Sequence, residues 1–353
     1  MVKRQQRVTA NRPPAPHVLA VDVGTSSVRA VVYDRAGHPV PGAQSQVAYQ
    51  MDLTPDGGAS ADADRMVQRV ADSIDGALAN TSPPVEPAAV AMCTFWHNVL
   101  GVDSNDHPVT PVISWADTRP RSTLDELRRQ IDPTAVARRT GCPLHSSYLP
   151  AKLLWLRRRD PASFGRAVRW MSIGEYLLFR FVGQRACSIS MASGSGLLNQ
   201  REDAWDEEVL ERVEISADQL SPLVCMGTGF DTLRTEWKTR WPALARATWY
   251  PALGDGACSN IGAGCTTPDR AAVMVGTSGA MRVMLPHGTS REVPRGLWHY
   301  RADRRRALVG GALSNGGNVF GWLRGALQLP DRAVVEAELR QRLAQPHGLT
   351  VLP

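Results

Sequence analysis

Residues 18–34 read VLAVDVGTSSVRAVVYD, and this stretch predicts the first structural element of the chain. Two apolar, β-branched runs flank the turn at 24–27, whose sequence is Gly-Thr-Ser-Ser. Short β-branched runs on both sides of a glycine turn predict a β-hairpin over 18–23 and 28–33. Such a turn presents consecutive backbone N–H groups and three hydroxyls in a small space, which suits phosphate oxygens. The hairpin is therefore a candidate phosphate-binding element at the start of an α/β domain.

Asp22, at the end of the first run, has two interpretations. It can hold Mg²⁺ whose other ligands are water and phosphate, as that ion prefers. It can also simply cap its own turn. The turn is not a Walker A loop, because no Gly-Lys-Ser/Thr ends it and a strand follows instead of a helix.

Composition narrows the class of protein. The chain has 353 residues, enough for two domains, with 43% hydrophobic and 21% charged residues and a net charge of +6. These values are typical of a folded globular protein. The arginine runs lack interleaved aromatic residues, so nucleic-acid binding is not favoured. The six cysteines form no C-x-x-C pair, and no segment reads as a signal peptide or a membrane span, so we expect a reduced, cytoplasmic protein without membrane attachment.

Strands alternate with helices along the first two thirds of the chain, which predicts a layered α/β domain. Residues 1–16 are polar and rich in proline, and we expect a disordered tail there. Hydrophobic spacing predicts strands over 85–93 and 109–115 and helices over 62–79, 120–130, 149–158 and 172–182.

A second block begins near residue 248, where a short apolar strand runs into Gly-Asp-Gly at 254–256. The pattern Val-x-Val-Gly-Thr-Ser of residues 21–26 recurs at 273–278, which predicts a second hairpin over 271–285 and two related halves. We expect domains at 17–245 and 246–353. After a predicted helix at 331–344 an apolar strand begins near 348, so we expect the second domain to be incomplete.

Asp255 is the second acid of interest. Flanking glycines let the backbone approach a ligand closely, and a carboxylate at a strand end can accept the proton of an acceptor hydroxyl during phosphoryl transfer. Asp-Gly is equally a common tight turn.

A third set of residues suits a polyol. Aromatic rings lie in the sequence beside imidazole, carboxylate and guanidinium groups, so that C–H faces can stack and hydroxyls can form hydrogen bonds. The set comprises Phe95-Trp96-His97-Asn98, Trp115-Ala116-Asp117-Thr118-Arg119, and Tyr148 with Lys152. Taken alone, His97 is equally consistent with a structural histidine.

These segments together resemble the FGGY carbohydrate kinases, in the order and spacing of that family. The resemblance rests on Asp22 to Arg29, Trp115-x-Asp117-x-Arg119, Gly254-Asp255-Gly256 and Val275-Gly276-Thr277-Ser278-Gly279. Three further segments, at 95–103, 147–152 and 191–199, look more like the gluconokinase branch than like glycerol or xylulose kinases.

The resemblance implies an actin-like, ribonuclease-H-like fold of two related domains, with ATP and sugar bound between them. It implies Asp255 as catalytic base and Asp22 as the residue near Mg²⁺. The implied phosphate-binding residues are Gly24, Thr25, Ser26, Ser27, Arg29, Gly276, Thr277 and Gly317. The implied sugar-binding residues are His97, Trp115, Asp117, Arg119, Tyr148 and Asp255. For an acidic sugar, His97 or a nearby arginine would meet the carboxylate.

The chain also departs from the family pattern. Members of the family continue through a long C-terminal portion with the family signature and a glycine-rich adenosine-binding segment, and the sequence contains neither. Exposed sheet edges and apolar faces would then favour pairing with another chain, including a homodimer. Three hypotheses follow: an ATP-dependent sugar kinase, most simply for gluconate; a truncated, catalytically incompetent remnant that binds sugar; or an actin-like or chaperone-like ATPase. The polyol segments count against the third.

Overall fold

The computed structural model describes residues 16–79, 81, 84–276, 279–288, 293–294, 296–313, 316–342 and 348. The chain folds into two compact units, Met1–Cys258 and Ser259–Pro353. Asp255 thus belongs to the first unit by its packing, whereas the expected domains at 17–245 and 246–353 stay a prediction. The expected tail at 1–16 lies, except for Pro16, outside the described residues.

The first unit is a layered α/β structure. Its strands are β1 (His17–Val23), β2 (Ser27–Tyr33), β3 (Pro39–Ala48), β4 (Asp52–Leu53), β5 (Ala59–Ala61), β6 (Pro87–Thr94), β7 (Leu100–Val102), β8 (Val112–Ile113), β9 (Arg169–Met171), β10 (Cys187–Ser188), β11 (Leu198–Asn199), β12 (Ala204–Trp205), β13 (Leu223–Val224), β14 (Thr248–Trp249) and β15 (Leu253–Gly254). Its helices are α1 (Ala63–Ala79), α2 (Leu124–Gln130), α3 (Pro133–Thr140), α4 (Leu149–Arg159), α5 (Pro161–Arg166), α6 (Ile173–Val182), α7 (Ile189–Ser193), α8 (Glu207–Val213), α9 (Thr235–Arg240) and α10 (Asp255–Gly262), which runs past the unit boundary.

The main sheet has the strand order β14-β6-β1-β2-β3, and β15 also pairs with β6. The strands β1, β2 and β3 form an antiparallel meander. Strand β6 pairs in parallel with β1, and β14 and β15 each pair in parallel with β6. This is the ribonuclease-H-like topology that the resemblance implied. Because parallel strands end at the same edge, the carboxyl ends of β1, β6 and β15 come together there.

Local sequence explains these elements. In β1 the side chains of Leu19, Val21 and Val23 are buried on one face of the sheet. Helix α1 buries Met66 and Val70, among others, at the spacing that predicted it. The cap of α6 is a Ser172–Glu175 capping box, and Gly183 ends that helix with φ +76°.

Two predicted elements are shorter than expected. The strand predicted over 109–115 is limited to Val112–Ile113, because the Asp117 carboxylate accepts hydrogen bonds from the Ala59 and Arg119 N–H groups and turns the chain. The helix predicted over 120–130 begins as a 3₁₀ turn at Arg119–Thr123, with α2 following. Pro251 separates β14 from β15, since proline has no N–H for a sheet ladder.

The second unit contains β16 (Ala271–Val275), β17 (Gly279–Pro286), β18 (Trp298–Arg301), β19 (Arg306–Leu313), α11 (Gly317–Ala326) and α12 (Arg332–Arg342). Its sheet has the order β16-β17-β19-β18, and β16 pairs with β17 as the predicted second hairpin. The strand predicted near 348 lies almost wholly outside the described residues. Within the described ranges, no helix combines the length and apolar character that crossing a bilayer requires.

Candidate active site

Asp22 lies at the carboxyl end of β1, on the face opposite to the buried Val21 and Val23. Antiparallel pairing sets Arg29 of β2 across from it, and parallel pairing sets Cys93 of β6 on its other side. Register partners point to the same face of a sheet, and the Cys93 thiol donates to Asp22 Oδ1 at 3.3 Å. Asp22 and Arg29 are both exposed, so a carboxylate and a guanidinium lie on one accessible face beside the turn.

The predicted phosphate turn is closed by a hydrogen bond from Gly24 N to Ser27 O at 3.0 Å. Tyr49 holds it from the end of β3: its hydroxyl donates to Gly24 O at 2.5 Å and its N–H donates to Ser26 O at 2.9 Å. In the part of the chain that the structure describes, no backbone carbonyl accepts from the N–H groups of Thr25 and Ser26. Two adjacent N–H donors therefore remain for an external acceptor such as a phosphate oxygen.

Asp255 is exposed at the first residue of α10, directly after β15. Cys93 is the register partner of both Asp22 and Leu253, which places those two backbones two strand spacings apart, about 10 Å. The Cys258 thiol, one turn into α10, contacts that of Cys93. This contact, burial and the Asp22 charge raise the pKa of the Cys93 thiol well above its usual value, so it remains a donor. The two predicted carboxylates thus lie at the same edge of one sheet.

Trp96 fixes the backbone just before Asp255. Its ring lies against two glycines: a Cβ at Gly254 would be 1.8 Å from Cε2, and a Cβ at Gly194 would be 2.5 Å from Cδ1. The indole Nε1 donates to Ser190 O at 2.9 Å, and Ser190 Oγ accepts from Gly254 N at 3.1 Å. Trp96 is only 5% exposed. The prediction of a polyol-stacking surface is therefore wrong for Trp96, which is a buried wedge.

His97 has a left-handed backbone with φ +60°. Its Nδ1 contacts Gly194 O. Because a carbonyl can only accept, Nδ1 carries the proton and Nε2 of the neutral ring is an acceptor. Burial lowers the pKa of His97 to about 3. A neutral ring with this tautomer suits a hydroxyl group better than a carboxylate, and the expectation that His97 or a nearby arginine meets the carboxylate of an acidic sugar stays a prediction.

Tyr148 and Trp115 are the other two aromatic residues that the sequence predicts to bind sugar. The Tyr148 ring meets the imidazole edge-on, with centroids 4.8 Å apart. Ser147 Oγ donates to Trp115 O at 2.9 Å, which ties the start of α4 to the Trp115 loop. Trp115 is 37% exposed, whereas Tyr148 is 6% exposed. Trp115 is therefore accessible to a ligand, and Tyr148 is a buried neighbour of His97.

Asp117 and Arg119 form an ion pair with each other. Arg119 Nη2 donates to Asp117 Oδ2 at 2.6 Å, and the Arg119 guanidinium stacks over Trp155 at 4.6 Å. Hydrogen bonding to Asp117 raises the pKa of Arg119. Asp117 is 1% exposed and also accepts from Ala59 N. Their observed contacts support the Trp115 loop, and their predicted contact with sugar stays a prediction.

In the second unit the structure brings Gly276 and Gly317 together. Gly317 N donates to Gly276 O at 2.6 Å, and a Cβ at Gly317 would be 2.8 Å from that oxygen. The predicted phosphate residue Thr277 lies outside the described residues.

A magnesium-bound triphosphate fits the residues of the first unit. An exposed carboxylate beside two N–H donors is what a largely hydrated Mg²⁺ and phosphate oxygens need. Among the described residues, no group of three or more His, Cys, Asp and Glu side chains could hold a metal ion. Asp22 would hold such an ion, and water and phosphate would supply its remaining ligands.

Comparison with known proteins decides the family. Residues 17–262 match the model of the FGGY family of carbohydrate kinases, N-terminal domain. The chain belongs to the FGGY family of carbohydrate kinases. The match covers all the candidate residues of the first unit, from Asp22 to Asp255.

The relatives of this FGGY chain include kinases with different acceptors. It is 28% identical over 309 residues to the gluconokinase of Bacillus licheniformis, covering 87% of this chain and 59% of the relative. It is 29% identical over 290 residues to the autoinducer-2 kinase of Salmonella typhimurium, covering 79% and 53%. The crystal structure of gluconate kinase from Lactobacillus acidophilus superimposes with a TM-score of 0.82 at 29% identity, covering 88% of this chain and 62% of that one. The actin-like, ribonuclease-H-like fold is thereby confirmed, and the chain spans about 59% of the length of that gluconokinase.

Ser190 and Gly194 support this FGGY site and were not predicted to do so from the sequence, whereas Lys152 was predicted only as a member of the polyol set. The first two contact Trp96, while the Lys152 ammonium donates to His97 O. Only long-range contacts show these roles, because Ser190 and Gly194 lie in a segment of small residues with no chemical motif of its own.

Proposed function

We propose that this chain carries the acceptor site and catalytic base of an ATP-dependent carbohydrate kinase, with gluconate as the preferred acceptor and 6-phosphogluconate as the product. The observation that carries the proposal is the placement of Asp22 and Asp255 at one edge of one sheet, on either side of β6. An exposed carboxylate beside a phosphate-binding turn and a second at a helix start are the parts that phosphoryl transfer to a hydroxyl requires.

Each residue has a role that its geometry supports. Mg²⁺-bound ATP, the cofactor used across this family, would supply the γ-phosphoryl group. The N–H groups of Thr25 and Ser26 would bind phosphate oxygens, and Asp22 would hold the Mg²⁺ ion. Asp255 accepts the proton of the attacking hydroxyl as general base. Acceptance of the proton by a fixed carboxylate makes the oxygen a better nucleophile without a covalent enzyme intermediate.

The acceptor side is built from His97, Trp115 and Tyr148. His97 Nε2 accepts a hydrogen bond from a sugar hydroxyl, and the exposed face of Trp115 packs against C–H groups of the sugar. The preference for gluconate is supported by the names of two relatives at 28% and 29% identity. The carboxylate of gluconate would then be met outside His97, whose ring is neutral.

A second hypothesis is a sugar-binding remnant without turnover. It is favoured by the placement of the predicted acceptor residues in the first unit, where sugar binding needs no contribution from the second. Under this hypothesis the chain binds gluconate but releases no ADP. Cytoplasmic location and pairing as a homodimer stay predictions in either case.

The decisive experiment is ADP release from ATP with Mg²⁺, with gluconate and xylulose offered separately as acceptors, beside the variant Asp255→Asn. We expect gluconate-dependent release that falls by about a thousandfold in the variant, because general-base catalysis contributes about 10²–10⁴ in rate. Asp231→Asn is the matched control, since Asp231 is also exposed but lies outside the site. Unchanged turnover in Asp255→Asn would remove that residue from its role. Gluconate binding without any turnover would favour the remnant.

A further inference from the structure

Lys152 is a fully buried lysine in α4, with 0% exposure. Its ammonium donates to the backbone carbonyl of His97. The charge of Asp117 acts on it favourably, but Asp117 is itself paired with Arg119 at 2.6 Å. Lys152 is therefore a buried cation whose hydrogen bond goes to a carbonyl of the acceptor site.

His97 needs such a partner because its backbone is strained. A left-handed conformation is unfavourable for a residue with a side chain. The conformation turns the His97 carbonyl to Lys152 while the ring Nδ1 donates to Gly194 O. Two contacts on opposite parts of the residue thus determine where the imidazole lies.

One helix turn delivers both neighbours of His97. Tyr148, the N-cap of α4, meets the imidazole edge-on, and Lys152 N donates to Tyr148 O at 3.4 Å one turn later. Residues four apart lie on the same helix face. The start of α4 therefore presents a ring to the His97 side chain and an ammonium to its carbonyl.

A lysine at this position is expensive for folding. Burial lowers the pKa of Lys152 to about 7, which means that the protein resists the charged form. An apolar side chain of similar length would remove this cost, and such replacements of buried charges are often neutral or stabilising. Lys152 lowers stability and lies beside the proposed binding site, so a role in function explains its presence better than a role in folding.

We propose that Lys152 is a positioning residue of the acceptor site, which holds His97 in its left-handed conformation so that Nε2 meets a sugar hydroxyl. This inference rests on the proposed function, because it takes a polyol as the ligand of His97. Lys152 itself does not contact the sugar.

The charge state of Lys152 makes polyol binding depend on pH. The titratable groups around it are His97, which is neutral in the range of interest, His145, whose pKa burial lowers, and Asp117 in its ion pair. An ammonium is a stronger donor than a neutral amine. Polyol affinity should therefore fall, by roughly fivefold, as the pH rises from 6 to 8.

Stability should move in the opposite direction. The pKa of Lys152 in the folded chain, about 7, lies below its ordinary value of 10.5, so the unfolded chain binds more protons between these values. The contribution of Lys152 to stability consequently rises as the pH increases above 7. Opposite trends in binding and in stability distinguish a positioning role from a merely structural one.

The experiment compares Lys152→Met and Lys152→Gln with the control Lys238→Met, whose lysine is exposed on α9. Gluconate and xylulose binding is measured by calorimetry at pH 6 and 8, and the Tm at the same two values. We expect Lys152→Met to weaken binding by about 10- to 100-fold at pH 6 and to remove its pH dependence. Its Tm should stay level or rise by about 2–4 °C. Lys152→Gln, which keeps a neutral donor, should recover part of the affinity.

Two results would overturn the role of Lys152 while leaving the proposed function intact. The first is wild-type affinity in Lys152→Met, and the second is a parallel loss of affinity and Tm in that variant. A wild-type chain that binds neither acceptor at either pH would overturn this proposal together with the acceptor site itself. If the acceptor binds, if Lys152→Met weakens that binding, and if no ADP is released, Lys152 keeps its positioning role. Only the hypothesis of an active kinase is then rejected.

Discussion

At the scale of single residues, the site requires glycine at position 254, because a side chain has no room there. The Trp96 ring occupies the space that a Cβ at Gly254 would need, with 1.8 Å to Cε2. Trp96 cannot retreat, because its ring also lies against Gly194 and its Nε1 donates to Ser190 O. The residue before the candidate base is therefore held between the sheet and an aromatic wedge.

Gly254→Ala should destabilise the chain by about 2 kcal/mol, the usual cost of overpacking, and should lower the proposed kinase activity by displacing Asp255. The measurement is urea unfolding of four proteins: wild type, Gly254→Ala, Trp96→Ala and the double variant. Because Trp96→Ala removes the clash, Gly254→Ala should cost far less in that background. Additive effects would show that the two residues do not touch. Gly165→Ala, in open space on α5, serves as the control and should be neutral or stabilising.

Single residues also show what sequence cannot tell. Trp96 and Trp115 looked alike as aromatic residues beside polar neighbours, yet one is 5% and the other 37% exposed. The difference comes from Gly194 and Gly254, which are remote from Trp96 in the chain and adjacent in the fold. The sequence is equally consistent with His97 as a ligand and as a structural residue. Its φ of +60° follows from tertiary contacts, which the sequence does not show.

At the scale of secondary structure, the phosphate turn is held by the end of the third strand. Tyr49 contributes both its hydroxyl and its N–H to the turn, and burial raises its pKa to about 12, so the hydroxyl remains protonated and donates. The turn therefore reaches its shape before any ligand arrives.

Tyr49→Phe should weaken nucleotide binding while leaving sugar binding unchanged. The variant loses the hydrogen bond from the Tyr49 hydroxyl to the Gly24 carbonyl, which contributes about 1 kcal/mol to stability. We expect the Kd for ADP with Mg²⁺ to rise by about three- to tenfold in calorimetry, because the turn must now be ordered by the ligand. Tyr33→Phe is the matched control on the neighbouring strand. An equal loss of gluconate affinity would contradict a local effect on the turn.

Most of the helices and strands could be predicted from the sequence, because local hydrophobic spacing determines them. The first hairpin, α1, α4 and α6 were predicted from hydrophobic spacing, and the structure has them within a few residues. The strand predicted over 109–115 was too long because its end is set by Asp117 and Ala59, 58 positions apart. Contacts of that range leave no periodic trace in sequence.

At the scale of the whole molecule, one sheet face of the second unit is apolar and accessible. Val273 of β16 and Met281 of β17 are register partners, with exposures of 66% and 58%, and Leu313 of β19 is 61% exposed. The opposite face buries Ala272, Met284 and Leu308. A contiguous apolar face beside the edge strand β16 favours association with another apolar surface.

Charging this face should suppress self-association without touching the acceptor site. In the double variant Val273→Lys with Met281→Glu, the opposite charges face each other across the two strands, so the pair remains compatible with the sheet. Sedimentation velocity over a tenfold range of concentration should show a rising average mass for the wild type and a constant, monomeric mass for the variant, with equal gluconate affinity. Leu53→Lys is the control, because Leu53 is 75% exposed but lies on β4, in the first unit. Association that persists in the double variant, or that disappears equally in Leu53→Lys, would show that this apolar face does not drive it.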